Sequence, residues 1–120
     1  MRLLLFLALL CLSAAPAAAE RRIALSFDDV PRAAGPFLSA DERTIELIAA
    51  LKRARVEQAA FLVTTGNLSR PDGAGGEARI AAYVAAGHVI ANHSHSHLWL
   101  HRTTVEDYVA DLDRAADWLR

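Results

Sequence analysis

Cysteine is nearly missing from this chain: Cys11 is the single one among 120 residues. It lies in an apolar N-terminal stretch, so the remainder can form no disulfide and run no thiolate chemistry. Cys11 is also a poor lipid-attachment site, because Ala8-Leu9-Leu10 puts a bulky residue where a small one is wanted. An excess of either charge is missing as well. Lys and Arg number 13 and Asp and Glu 14, a formal net charge of -1. That balance excludes a basic footprint for nucleic acid and an acidic disordered tail. No repeat recurs at a fixed period, and low complexity is confined to Ala-rich stretches. Long hydrophobic runs are missing too. The unbroken apolar run from Leu3 to Leu10 is too short to span a bilayer comfortably, and Ser13 and Pro16 break its continuation.

The N-terminus does have a three-part export pattern. Arg2 supplies a positive charge, the apolar run comes next, and Ala17-Ala18-Ala19 fits an A-x-A cleavage site. Residues 1–19 are therefore expected to be a signal peptide, with Glu20 as the mature N-terminus and no stable membrane anchor. The product is expected in the periplasm, the cell envelope or the medium.

Residues 20–120 fit one domain at most. Ile23-Ala24-Leu25-Ser26-Phe27 reads as a strand buried on both faces, ended by Asp28-Asp29-Val30-Pro31. Ser39-Ala40-Asp41-Glu42 is a capping box, and Ile45, Ile48, Ala49 and Leu51 are expected to line the inner face of the helix it opens. Ala59 to Val63 forms a second buried strand, and the Gly- and Pro-rich residues 64–76 a long loop. Residues 77–86 make a short helix with Ile80, Tyr83 and Val84 inward and Gly87 at its C′ position. His88-Val89-Ile90-Ala91 is a third strand. Thr103 or Thr104 caps a last helix whose stripe is Val105, Tyr108, Val109, Leu112 and Leu119. The order β-α-β-α-β-α implies an α/β fold with parallel strands. Three units are too few to close an eight-unit barrel, which typically needs about 250 residues.

Two polar clusters fall at matching places. Asp28-Asp29 comes directly after the first strand and Asn92-His93-Ser94-His95-Ser96-His97 directly after the third. Sites in parallel α/β folds form beyond the C-terminal ends of strands, so both clusters face one rim. His93 and His97, four apart, can turn both imidazoles to one point. Two imidazoles and a carboxylate make a divalent-metal site with open positions, which marks catalysis rather than structure. Of the acidic pair, one Asp can ligate while its neighbour accepts a proton from metal-activated water. His88 reads as structural, His95 as pointing away from the ligand pair, and His101 as a surface residue.

These residues resemble a known family. Ala24-Leu25-Ser26-Phe27-Asp28-Asp29-Val30-Pro31 is similar to the T-F-D-D-G-P first motif of the polysaccharide deacetylases, the carbohydrate esterase family with the NodB-homology domain. Ala59-Ala60-Phe61-Leu62-Val63 resembles its A-T-F-F-V strand, and residues 87–97 its G-H-E-I-G-N-H-T-x-S-H motif. The resemblance implies a partial, distorted (β/α) barrel, with residues 20–120 as the N-terminal part of the domain. It implies Asp28 as general base and Asp29, His93 and His97 as ligands of a divalent cation, Zn2+ first among the candidates. The reaction implied is hydrolysis of N- or O-linked acetyl groups from a carbohydrate polymer, so the partner is an acetylated glycan.

Two departures stand out. Val30 replaces the usual Gly before Pro31, and nothing after His97 resembles the family's R-x-P-Y segment or its late Leu-x-x-His, the source of the general acid. Residues 20–120 alone are therefore expected neither to fold stably nor to deacetylate. A metal- or glycan-binding remnant and a hydrolase of a small non-sugar amide are the alternative readings.

Overall fold

A computed structural model describes residues 22–120. The export signal expected at residues 1–19, with Cys11, lies outside the described residues. None of the described helices is long and apolar enough to cross a membrane.

The described residues alternate strand and helix as the sequence pattern requires. Strand β1 is Ser26–Val30, helix α1 Ala40–Arg53, strand β2 Ala60–Val63, helix α2 Gly76–Ala85, strand β3 Val89–Asn92 and helix α3 Val105–Leu119. Short 3-10 turns fill Thr65–Ser69, Pro71–Gly73 and Leu100–Arg102. The strands form one parallel sheet in the order β1-β2-β3.

The centre of the core is Phe61 on the middle strand, which is fully buried, as is Val63. The Phe61 ring stacks between those of Phe27, with centroids 5.0 Å apart, and Tyr83, at 3.8 Å. Val30, Leu51, Ala59 and Ile80 complete the buried cluster. Burying a Phe side chain contributes roughly 1.5–3 kcal/mol by area alone, and losing it from a packed core costs about 3–5 kcal/mol.

Both interior helices end in the same way. After α1, Arg55 takes φ 58, its N–H donating to Lys52 and that of Val56 to Leu51. After α2, Gly87 takes φ 91, with Gly87 donating to Val84 and His88 to Tyr83. Each pair is a Schellman cap. Gly87 holds the expected C′ position, whereas Arg55 fills the equivalent one without glycine's freedom. At the start of α1, the Ser39 capping box is complete: Glu42 N–H donates to Ser39 Oγ, and Ser39 N–H to Glu42 Oε2.

Several expectations need correction. The first strand runs Ser26–Val30 rather than 23–27, and Ile23 is 87% exposed. Ile23, Ala24 and Leu25 precede the strand and are exposed. On α1 the inward stripe is Thr44, Leu47, Ile48 and Leu51, at helical spacing, while Ile45 falls one step off it and is exposed. Val84 is exposed beside the buried pair Ile80 and Tyr83. On α3 the buried positions are Asp111 and Ala115, and Val105 and Val109 are exposed. A stripe through Tyr108, Asp111, Leu112, Ala115 and Leu119 keeps the helical period but includes a carboxylate.

Candidate metal centre

The site begins with an irregularity in β1. Phe27 pairs with Phe61 and Val30 with Val63, so three steps on β1 match two on β2. Strict alternation would put Phe27 and Val30 on opposite faces; the extra residue lets both pack on the core. That extra residue falls in the Asp28-Asp29 pair. Asp29 takes φ 63, a left-handed conformation that Asp tolerates better than most residues. The acidic pair therefore lies within the strand, not beyond it. Asn67 Nδ2, from the turn after β2, donates to the Asp29 carbonyl at 3.2 Å and holds the bulge.

The imidazoles sit on a loop that leaves β3. His93 N–H still donates to Val63 at 2.9 Å, which extends the ladder by one residue. The chain then turns sharply, with Ser94 at φ 65 and His97 at φ 56. Asn92 Oδ1 accepts from Ser94 N–H at 2.7 Å, and Ser94 Oγ from His97 N–H at 3.0 Å. These bonds answer backbone groups that the turn removes from the sheet.

The loop is fastened on two sides. From the 3-10 turn after β2, Thr65 N–H donates to Ser94 and Gly66 N–H to His95. A Cβ on Gly66 would lie 2.4 Å from the His95 carbonyl oxygen, so only glycine permits this approach. From α3, Asp111 Oδ2 accepts from His95 N–H at 2.9 Å and Ser96 N–H at 2.8 Å, and Asn92 Nδ2 donates to the Leu112 carbonyl at 2.9 Å. Burial pushes the Asp111 carboxyl up. Hydrogen bonds from the Ser96 backbone and hydroxyl, the His95 N–H and the Ser94 hydroxyl outweigh that and leave it below the ordinary Asp range.

The result brings Asp29, His93 and His97 together. Asp29 Oδ1 lies 3.3 Å from His97 Nε2 and 3.7 Å from His93 Nε2, and one donor atom from each residue falls within 4.8 Å of the others. Two donors on a tetrahedral zinc ion with bonds of about 2.0–2.1 Å stand roughly 3.3 Å apart, so the set fits a divalent cation. Arg32 Nη1 contacts the other carboxylate oxygen, Asp29 Oδ2, at 3.1 Å and orients it. A cavity of about 480 Å3 opens beside the cluster, lined among others by Asp29, Arg32, Thr64, Asn67, Arg70 and His97. That volume is in the range of small-ligand sites.

Asp28 is exposed, does not line this cavity and makes no side-chain hydrogen bond to another described residue. The remaining histidines fall outside the cluster. His88 is buried, and its Nδ1 accepts from Ala59 N–H at 3.3 Å. His95 turns away to pair its Nδ1 with Thr65 Oγ1 at 2.8 Å. His101 is exposed against the Trp99 ring. The sequence reading missed Arg32 and Asp111. Arg32 was signalled by its place three residues after Asp29, and Asp111 by a lone acid on an apolar helical stripe.

The profile of the polysaccharide deacetylase family matches residues 15–120. In fold the chain is similar to the peptidoglycan deacetylase PdaC from Bacillus subtilis, at 23% identity and a TM-score of 0.61, over 82% of this chain and 42% of that one. It is also similar to the Bc1960 peptidoglycan N-acetylglucosamine deacetylase, solved with 4-naphthalen-1-yl-N-oxidanyl-benzamide. There the identity is 28% and the TM-score 0.57, over 78% of this chain and 37% of that one. The chain thus spans about two fifths of the length of these structures. No curated protein matches it closely enough to count as a relative. Parallel β-α units, motifs at the strand ends and a profile match over all the described residues agree: the chain belongs to the polysaccharide deacetylase family.

Proposed function

We propose that this chain supplies the cation-holding and proton-accepting part of an exported deacetylase that removes acetyl groups from an envelope glycan. The observation that carries the reading is the convergence of Asp29, His93 and His97 at the C-terminal ends of β1 and β3, beside a cavity, in a chain of this family. A divalent cation held there, with Zn2+ favoured by the nitrogen-rich donor set, would supply Lewis acidity, lowering the pKa of a water and polarising an acyl carbonyl. Asp29 contributes the anionic ligand, with Arg32 holding its second oxygen away from the two imidazoles. Asp28 is the general base: it takes a proton from the attacking water as the C–O bond to the acyl carbon forms, and that proton passes to the leaving nitrogen as the acyl C–N bond breaks, giving acetate and the free amine. Its exposed carboxylate has no competing side-chain partner among the described residues.

The similar structures support a glycan substrate, since both are peptidoglycan deacetylases. One of them is solved in complex with an N-hydroxy amide. Export by the N-terminal signal would put the protein where such a substrate lies.

The test is acetate release by the whole protein from peptidoglycan and from chitin oligomers, before and after a chelator and then with Zn2+ restored. Release that stops on chelation and returns with the ion is expected. Undiminished release after chelation, or none from any acetylated glycan, would remove the reading.

A further inference from the structure

We propose that Asp111 is a positioning residue, a latch on α3 that holds the His93–His97 loop in the shape that aims both imidazoles at Asp29. The inference rests on the reading that these three residues hold a cation. Asp111 belongs to none of the sequence motifs of the site and lies fourteen residues beyond His97. Its carboxylate is buried, and one oxygen, Oδ2, accepts from two consecutive backbone N–H groups, those of His95 and Ser96. Ser94 Oγ accepts from His97 N–H at 3.0 Å, so the loop that Asp111 holds at His95 and Ser96 is also tied from within to the backbone of a proposed ligand.

The latch answers a specific difficulty. Ser94 and His97 both stand at positive φ, a conformation costing a non-glycine residue roughly 1–2 kcal/mol. Such a loop keeps its shape only when its surroundings over-determine it. The contacts from the turn after β2 fix Ser94 and His95 by their carbonyls. Neither β2 nor its turn reaches the N–H groups of His95 and Ser96; Asp111 takes both, that of Ser96 by its carboxylate and that of His95 by its carboxylate together with its main-chain carbonyl at 3.2 Å. Charge-assisted bonds of this kind are about twice as strong as neutral ones, and the neutral amide of Asn would keep the shape while halving the strength.

The experiment uses the whole protein, wild type, Asp111→Asn and Asp111→Ala, with Zn2+ affinity, the visible absorption of the Co2+ form and metal-free melting measured on each. Asp111→Asn is expected to melt somewhat below wild type and, once folded, to bind Zn2+ roughly 3–10-fold more weakly, with an altered Co2+ spectrum. Asp111→Ala is expected to bind roughly 10–100-fold more weakly. A residue serving folding alone would lower the melting temperature and leave affinity and Co2+ spectrum of the folded protein unchanged. If Asp111→Ala does not fold, the Asn variant decides: wild-type affinity together with a wild-type Co2+ spectrum overturns the latch. A wild-type protein that takes up neither Zn2+ nor Co2+ overturns the cation reading and the latch together, whereas tight wild-type binding with unaffected variants overturns the latch alone.

Discussion

Asp29 Oδ1 stands 3.3 Å from His97 Nε2, although one residue belongs to the bulge of β1 and the other to the loop after β3. Both are at positive φ. Two strained backbones thus converge on one contact that adds little to an exposed surface on its own, since His97 is half exposed and surface ion pairs contribute about 0–1 kcal/mol. Core packing accounts for the bulge at Asp29, but the strain at His97, placed where it gains so little stability, is better explained by a ligand shared between the two side chains.

His97→Ala should therefore cost cation affinity far more than stability. Removing one of three protein donors is expected to weaken Zn2+ binding by at least about tenfold, with metal-free melting changed by only a few degrees. Zinc content after dialysis against a buffered low concentration of the ion checks it. Equal zinc in variant and wild type would leave the cluster without a cation.

The acidic pair should separate by role. Asp28→Asn is expected to keep the cation and lose roughly 10²–10⁴-fold in turnover, the usual worth of a general base. Asp29→Asn is expected to lose the cation and the turnover together. Metal content and acetate release on the same samples distinguish them, and the opposite pattern would exchange the two assignments.

How far the sequence revealed this site depends on which forces were local. The order of strands and helices, the Ser39 capping box and the Gly87 cap are all set by neighbouring residues, and each was legible. The convergence of the two clusters came from topology alone, because parallel strands deliver their C-terminal ends to one rim. The bulge at Asp28-Asp29 was not legible. It exists because Phe27 and Val30, an odd number of steps apart, both pack on the same core, and that demand comes from β2 and α2. Asp111 was hidden for a related reason. An acid on a helix reads as solvent-facing until a loop far away in sequence supplies the N–H groups that permit its burial.

Gly66 gives a sterically decided prediction. A methyl group there would meet the His95 carbonyl at 2.4 Å, and backbone cannot yield as a flexible side chain does. Gly66→Ala should destabilise the chain by about 1–3 kcal/mol by forcing the β2 turn and the His loop apart. Because that loop carries His93 and His97, Zn2+ affinity should fall with it. Denaturant unfolding and zinc titration read the two effects, and a variant unchanged in both would mean the two segments do not meet.

The two Schellman caps make a matched pair far from the site. Arg55 at φ 58 carries a steric cost that Gly87 at φ 91 avoids. Arg55→Gly is expected to stabilise the chain by about 0.5–1 kcal/mol, the relieved strain being partly offset by the freer unfolded chain. Gly87→Ala should destabilise by about 1–2 kcal/mol. Denaturant midpoints with unchanged slopes are the readout, and a loss of stability in Arg55→Gly would show that the arginine contributes more than its backbone strain costs.

Acid should release the Asp111 latch in a definite window. Burial raises this carboxyl, but the bonds from Ser96, His95 and Ser94 outweigh it and leave the folded-state pKa below the ordinary value. A group depressed in this way contributes stability above its unfolded pKa, about 3.9, and loses it as pH falls through the lower folded value. The metal-free wild type should therefore exceed Asp111→Asn in stability by a constant margin from about pH 7 to about pH 5. Below about pH 4 the margin should shrink as the wild-type carboxylate protonates and comes to resemble the amide. Glu42, whose pKa is lowered mainly by the Ser39 hydroxyl and then by the Ser39 N–H, also loses its cap contribution in acid, but equally in both proteins, so it cancels in the difference. Denaturant unfolding of the pair at half-unit steps from about pH 3 to about pH 7 measures the margin. A margin that persists at about pH 3 would mean that Asp111 acts by shape rather than by charge, and one that disappears near pH 6 would trace it to a histidine instead.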